Sequence, residues 1–186
     1  AEGYEESLPA DGRLGEHRPG GARKIVWLAD GEMEVAVPGG EYDLVGYRSF
    51  RHELAEQEGV VVGAGQIAFV DLVIPRAYET PGWVSADFHS HASPSMDGKC
   101  TMEDRLLQVA ASDLQFHVAT AHDAVPDYQS PLEALGLQPW VRAIPATEVT
   151  TLLRGHFNIF PMTQDRTLPN FGAPVWWELE GDTEDL

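Results

Sequence analysis

The pair His89 and His91, separated by one residue, constrains the fold of this chain more than any other sequence feature. The pair ends a run of strand-type residues. In a strand, the side chains of residues i and i+2 leave the same face, so both imidazoles can bind one ion. Three further candidates stand at or beside the ends of later runs, at His122, Glu148 and His156. These side chains can share a site only if the ends of several strands meet.

Strand and helix patterns alternate along residues 81–186. The predicted strands are 84–91, 116–120, 141–144, 147–151 and 157–160. Thr101 and Asp104 form a capping box, with Asp in the usual place of Glu, that predicts the start of a helix. Ser130 as N-cap and Pro131 as the first helical residue open a second, short helix that Gly136 ends. This alternation predicts a parallel α/β layer or barrel with functional groups at the carboxyl ends of its strands.

Residues 23–80 have a different pattern, in which short strand-type runs are separated by glycine and proline turns. The runs are 25–28, 33–37, 42–47, 60–62 and 67–74. Their spacing is typical of an antiparallel β-sandwich, and four or five strands are few for a complete one. Residues 1–22 are rich in glycine, proline and charge, which predicts a flexible lead-in.

Composition excludes several classes of function. With 12 basic and 30 acidic side chains the net charge is −18, which argues against nucleic acid or an anionic membrane as a partner. No apolar run approaches the roughly 20 residues needed to span a bilayer. Cys100 is the only cysteine, so an internal disulfide framework and a multi-cysteine zinc finger are excluded. The acidity favours a secreted or periplasmic location, and the first residue, Ala1, indicates a processed chain or part of a longer one.

The predicted metal ligands are imidazoles and carboxylates, the groups that bind zinc, manganese or iron. They are His89, His91, Asp97, His122, Glu148 and His156. Asp97 lies in a Ser/Pro/Gly loop that can fold back over the histidine pair, and Glu148 could bridge two ions about 3.5–4 Å apart. For any one of these residues alone, a solvated or hydrogen-bonded role is the alternative.

Other polar residues near these positions keep two interpretations each. Asp87 and Asp123 can orient ligating imidazoles or play ordinary surface and turn roles. Arg154 can contact an anionic substrate or be solvated. His117 lies inside a predicted strand beside Phe116, and we interpret it as a packing residue.

Four segments, taken in order, resemble the PHP (polymerase and histidinol phosphatase) superfamily of metal-dependent phosphoesterases, and within it the carbaryl-hydrolase-like CehA/McbA branch. The segments are DFHSHASPSMDG (87–98), ATAHDAV (119–125), ATEVTT (146–151) and GHFNIFP (155–161). The resemblance implies a partial distorted β/α barrel at 81–186, the N-terminal part of a PHP-type metallohydrolase domain. It also implies that a small antiparallel β-sandwich segment at 23–80 precedes that domain.

The resemblance further implies two or three divalent ions per complete site. The first would take His89, His91 and Glu148, the second Glu148 and His156, and the third Asp97 and His122. The implied activity is hydrolysis of a small-molecule ester or phosphoester by a metal-activated water. Amidohydrolase barrels also begin with His-x-His, but they commonly use a mid-chain lysine bridge, which Lys24 and Lys99 are not positioned to supply.

Two departures from the family pattern bear on function. Ala121 stands where the family usually has Asp before the second-motif histidine. The later His-Pro motif and terminal Asp-x-His of the family barrel are absent from the 186 residues. A second polypeptide or a homo-oligomer would then complete the barrel, or water would complete the ions. The alternative function is a catalytically incomplete scaffold that acts as an extracellular binding or assembly protein.

Overall fold

The computed structural model of the protein describes residues 24–28, 30–151 and 155–174. The chain divides into two compact units. Among the described residues, the first unit holds those up to Val45 and Glu56–Leu72, and the second holds Gly46–Ala55 and those from Val73 onward. The predicted lead-in at 1–22 lies outside the described residues.

The strands are β1 (Gly40–Gly46), β2 (Ala55–Val62), β3 (Ala86–Ser90), β4 (Phe116–Ala119), β5 (Arg142–Pro145), β6 (Thr147–Thr150) and β7 (His156–Ile159). The α-helices are α1 (Met102–Ala111) and α2 (Gln129–Ala134), and a 3₁₀ turn covers Pro169–Gly172. None of the helices in the described ranges is long and apolar enough to span a membrane.

The second unit is built on a three-stranded parallel sheet in the order β3-β4-β5. The central strand β4 is almost wholly buried, with Val118 fully inaccessible to solvent. Helix α1 begins as predicted, since the Thr101 hydroxyl accepts a 3.0 Å hydrogen bond from the Asp104 amide. Leu106 and Leu107 bury its apolar face. The prediction of a parallel α/β layer is therefore confirmed for this part of the chain.

Two small features complete this unit. Strands β6 and β7 form an antiparallel pair. At the start of α2, the Asp127 carboxylate accepts hydrogen bonds from the amides of Gln129 and Ser130, at 3.0 and 3.3 Å. Gly136 follows the helix with a φ of +66°, a conformation that favours glycine and ends the helix as predicted.

The structure does not confirm the predicted partial barrel. The described residues form a mixed α/β structure with few helices and small sheets, and these sheets do not close into a barrel. Within the described ranges, β3 and β5 each pair with one neighbour, because both are edges of the three-stranded sheet. The α/β class is thus supported, and the PHP-type barrel stays an expectation.

The first unit contains fewer strands than its pattern predicts. Its β1 and β2 form a two-stranded sheet, in agreement with the predicted runs at 42–47 and 60–62. The runs at 25–28, 33–37 and 67–74 are not strands. Phe69 is 92% exposed and Ile67 65% exposed, so within the described residues these alternating apolar side chains have no second layer to pack against.

His117 is a packing residue, in agreement with the sequence interpretation. It is fully buried in β4, its ring lies 4.9 Å from that of Tyr128, and its Nε2 contacts the Ser90 hydroxyl. Burial lowers the pKa of His117 from its usual 6.5 to about 4. The ring is therefore neutral at physiological pH.

Candidate metal centre

Three of the predicted ligands lie at the carboxyl ends of the parallel strands. His91 comes directly after β3, His122 comes three residues after the end of β4, and Glu148 comes three residues after the end of β5. The backbones of His122 and Glu148 form a parallel bridge. Because the strands are parallel and adjacent, these positions meet at one edge of the sheet. His89, on β3, and His156, the first residue of β7, lie beside them.

The structure brings all six predicted ligands into one cluster. Neighbouring imidazole rings stand edge to face, with centroids 4.8 Å apart for His89 and His91, 4.7 Å for His91 and His122, and 5.1 Å for His122 and His156. Three overlapping groups have potential ligand atoms within 4.8 Å of one another: His89, His91 and Glu148; His91, Asp97 and His122; His122, Glu148 and His156. The cluster could therefore hold a metal ion.

These groups extend the ion assignments that the family resemblance implies. The first group is the implied set for the first ion. The second places His91 beside Asp97 and His122, and the third places His122 beside Glu148 and His156. The two implied sites that had only two protein ligands thus each have a third nitrogen donor nearby.

Glu148 is the centre of the cluster. Its Oε2 lies 2.9 Å from His91 Nε2 and 3.9 Å from His89 Nε2, and its Oε1 lies 3.0 Å from His156 Nδ1. The side chain is only 8% exposed. Because its two oxygens face different imidazoles, the carboxylate has the arrangement needed to bridge two ions.

The contact between His91 and Glu148 fits metal ligands better than a hydrogen bond. His91 Nε2 and Glu148 Oε2 are both buried, and neither forms a hydrogen bond within the described residues, although they are only 2.9 Å apart. A buried carboxylate oxygen without a partner costs several kcal/mol, on the order of 3–5. Two ligands at about 2.0–2.1 Å from a tetrahedral ion lie roughly 3.3 Å apart. The pair therefore suits a shared divalent cation.

The Asp97 loop folds back over the histidine pair, as its composition predicts. Asp97 Oδ1 lies 2.9 Å from His91 Nδ1 and accepts a 2.7 Å hydrogen bond from the Ser95 hydroxyl. The pKa of Asp97 lies below its ordinary value. The hydrogen bond with His91 is the largest cause, and the hydrogen bond with Ser95 is the next largest. A Cβ at Gly98 would lie 2.5 Å from the Ala92 carbonyl, so only glycine permits this close approach.

The two predicted orienting carboxylates contact backbone amides. Asp87 accepts a 3.0 Å hydrogen bond from the His89 amide. Asp123, which has a φ of +49°, accepts a 2.9 Å hydrogen bond from the Thr150 amide. Thr150 in turn contacts His122, so Asp123 reaches that ligand through an intermediate residue. Arg154, the predicted substrate contact, lies outside the described residues.

Sequence reasoning missed several hydrogen-bonding partners of the ligands. Thr120 contacts His89 at 2.9 Å, Thr150 contacts His122 at 2.6 Å, and the Arg105 guanidinium donates two hydrogen bonds to the His91 carbonyl, at 3.1 and 2.8 Å. Thr120 and Thr150 each lie two residues from a predicted ligand on the same run, which is a signal that could have drawn attention to them. Their partners on neighbouring strands could not be read from spacing.

One side of the cluster is open. The side chains of His89, Asp97 and His156 are 50%, 54% and 46% exposed, whereas those of His91, His122 and Glu148 are at most 16% exposed. A small molecule can therefore approach the exposed ligands, while the buried ligands are shielded from bulk water.

Comparisons with known proteins do not assign this chain to a family. No family model matches it, and no match was found among curated proteins or solved structures. The geometry of the cluster is accordingly the main support for a metal centre.

Proposed function

We propose that this chain is a metal-dependent hydrolase of the phosphoesterase type, acting on a small-molecule ester or phosphoester. The single observation that carries the proposal is the buried contact between His91 Nε2 and Glu148 Oε2, two potential ligand atoms that satisfy no hydrogen bond. The ordered resemblance of four segments to PHP metallohydrolases adds to it. The ions proposed are zinc, manganese or iron, two or three in a complete site.

The metal ions, when bound, would act as Lewis acids and lower the pKa of water towards neutrality. The chain's own part is to bind and orient. His91 and Glu148 form the buried floor of the site, and the exposed His89 and His156 lie on the side where a substrate can enter. Only two of the six ligands, Asp97 and Glu148, carry negative charge. Two divalent ions would therefore leave a local positive excess that attracts an anionic ester, despite the acidic composition of the chain.

The test begins with metal-free protein, to which Zn²⁺ or Mn²⁺ is added in steps while ions per chain are counted by elemental analysis. The loaded protein is then assayed with a chromogenic phosphodiester and a chromogenic carboxylic ester. We expect at least one bound ion per chain and turnover that depends on the metal. Glu148→Gln should reduce turnover at least 100-fold, because it removes the central charged ligand.

His52→Ala is the matched control for this experiment. His52 contacts Ser49 and belongs to none of the ligand groups, so its loss should leave metal content and turnover unchanged. Fully loaded wild-type protein without turnover on either ester would contradict the hydrolase proposal.

A second candidate function is a binding or assembly protein, which exposed aromatic side chains favour. Phe88 and Phe160 are 56% and 43% exposed, and their ring centroids lie 5.7 Å apart. Trp83 is 79% exposed. Neighbouring exposed apolar side chains such as Phe88 and Phe160 can form a patch that another polypeptide covers. A second polypeptide or a second copy of the chain would fill this role and supply the strands that a barrel needs.

Light scattering of the purified chain distinguishes the two candidates when combined with the assay. An assembly protein should form oligomers that Phe88→Ser and Phe160→Ser weaken, and should lack turnover when loaded with metal. A monodisperse monomer over a wide concentration range would exclude a homo-oligomeric assembly.

A further inference from the structure

Two threonines, Thr120 and Thr150, contact ligand imidazoles in the same way. The Thr120 hydroxyl lies 2.9 Å from His89 Nδ1, and the Thr150 hydroxyl lies 2.6 Å from His122 Nδ1. In both cases the other ring nitrogen faces a carboxylate of the cluster. His89 Nε2 is 3.9 Å from Glu148 Oε2, and His122 Nε2 is 3.4 Å from Asp97 Oδ2. Each threonine therefore contacts the ring nitrogen opposite the one that faces these carboxylates. In His122 that nitrogen, Nδ1, also lies 3.5 Å from Glu148 Oε2, a longer contact than its 2.6 Å contact with Thr150.

Each threonine hydroxyl also has a carbonyl oxygen within reach. The Thr120 hydroxyl lies 3.4 Å from the Ser90 carbonyl, and the Thr150 hydroxyl lies 3.5 Å from the Glu148 carbonyl. A hydroxyl can donate its one proton to such a carbonyl and accept a hydrogen bond from the imidazole with a lone pair. When a cation takes the Nε2 lone pair of a neutral ring, the ring proton is on Nδ1 and needs an acceptor there. The two threonine oxygens lie where that acceptor is needed.

We infer that Thr120 and Thr150 are positioning residues that hold His89 and His122 in the Nδ1-protonated tautomer, so that their Nε2 lone pairs are ready for a divalent cation. The inference concerns the metal centre on which the proposed function depends. A hydrogen bond to the far nitrogen of a ligating histidine fixes both the tautomer and the ring orientation, and its loss typically weakens metal binding 10- to 100-fold.

The Asn158 side chain adds a second condition to the inference for His89. Its amide nitrogen lies 3.0 Å from the same Nδ1 atom. Two N–H groups cannot face each other, whereas an amide rotated by half a turn presents its oxygen as a second acceptor. We therefore expect the Asn158 oxygen to face His89 when the ring is protonated at Nδ1. A proton on Nε2 would be the opposite result.

Thr147 provides a matched control. It is fully buried in β6, and its hydroxyl donates a 3.1 Å hydrogen bond to the Ala121 carbonyl. It thus shares a carbonyl acceptor with both positioning threonines, full burial with Thr120 and strand β6 with Thr150. No imidazole is among its hydrogen-bond partners in the described residues. A substitution at Thr147 removes a buried hydroxyl without removing a contact to a ligand.

The first measurement is made on metal-free wild-type protein containing ¹⁵N-labelled histidine, at about pH 8, where imidazoles with ordinary pKa values are neutral. Two-bond ¹H–¹⁵N correlation spectra distinguish protonated from unprotonated ring nitrogens. We expect His89 and His122 to carry the proton on Nδ1. Protonation of either ring predominantly at Nε2 would overturn the inference for that residue.

The second measurement is Zn²⁺ affinity, by competition with a chromophoric chelator. Thr120→Val and Thr150→Val should each weaken binding about 10- to 100-fold and produce mixed tautomers. Thr120→Ser and Thr150→Ser should restore both properties, and Thr147→Val should bind zinc like the wild type. Equal affinity in all variants would overturn the inference. If a valine variant does not fold, the serine variants and the wild-type spectrum still decide the question.

These outcomes are separable from those of the hydrolase test. Zinc binding with Nδ1-protonated rings but no turnover would reject the hydrolase and leave the positioning role intact. Turnover in a protein whose rings carry the proton on Nε2 would support the hydrolase and reject the positioning role.

Discussion

The two units of the molecule differ in how their apolar residues are covered, although both have strand-type sequence patterns. In the second unit, β4 has polypeptide on its faces as well as a strand on each side, and Val118 is fully buried. In the first unit, β1 and β2 form a two-stranded sheet, and Phe69 remains 92% exposed. The comparison teaches that a strand pattern determines which side chains share a face, whereas the burial of that face depends on another layer of the fold.

The largest expected difference between the units is in the cost of truncating an apolar side chain. Leu132→Ala should lower the free energy of unfolding by about 2–5 kcal/mol, because the side chain is only 2% exposed and its loss leaves a cavity. Ile67→Ala should change it by no more than about 0.5 kcal/mol, because that side chain is 65% exposed. Urea unfolding of both variants measures the difference. A cost above 2 kcal/mol at Ile67 would mean that another part of the protein covers it.

A pH titration sharpens the description of the second unit. Folded His117 has a pKa of about 4, below its usual 6.5, so between these values the unfolded chain binds a proton that the folded chain does not. Stability should therefore fall as pH decreases from 6.5 to 4, by about 3 kcal/mol from this residue. His117→Gln has no proton to gain.

Urea unfolding of metal-free wild type and His117→Gln across this range isolates the effect, since the other histidines are common to both proteins. The wild type should lose stability more steeply than the variant as pH falls. Parallel curves would show that His117 is not buried as a neutral ring.

The smallest expected difference between the two units is in the stability cost of replacing a glycine by alanine. Gly98→Ala should cost about 1–3 kcal/mol, because the new methyl group would meet the Ala92 carbonyl at 2.5 Å and displace the Asp97 loop. Gly40→Ala, in β1, meets only the Tyr42 side chain at an ordinary 3.6 Å and should cost less than about 0.5 kcal/mol. Thermal unfolding measures both.

Zinc affinity of the same two variants tests the loop more directly. It should fall in Gly98→Ala, since Asp97 contacts His91, and stay constant in Gly40→Ala. Unchanged affinity in Gly98→Ala would show that the Asp97 loop contributes little to metal binding.

Local sequence patterns predicted much of the second unit because local physics determines those features. The Thr101 hydroxyl and the Asp104 amide are three residues apart, so the start of α1 follows from the sequence. Five of the six predicted ligands meet because each lies at or near a strand end, and the sixth, Asp97, lies on the loop that folds back over the histidine pair. The start of α2 was predicted less well. The sequence pattern indicates Ser130 as the helix cap, whereas the Asp127 carboxylate accepts the hydrogen bonds from the first amides of the helix.

What could not be predicted depends on contacts between distant positions. Thr120 contacts His89 across two strands, and the sequence separation of 31 residues carries no sign of it. The strand prediction for part of the first unit was wrong for a related reason. Its period-2 pattern specifies which side chains share a face, but it does not specify what that face packs against. Strand existence at 33–37 and 67–74 therefore could not follow from alternation alone.

The backbone bridge beside the cluster has a consequence for ion selectivity. The Glu148 amide donates to the Ala121 carbonyl, and the Asp123 amide donates to the Glu148 carbonyl, both at 3.0 Å. His122 lies between these two bonds, so the main chain fixes the separation of the two backbone positions from which one nitrogen and one oxygen ligand extend. Side-chain substitutions around the cluster that keep these bonds should then change how tightly an ion would be held without moving the two backbones apart.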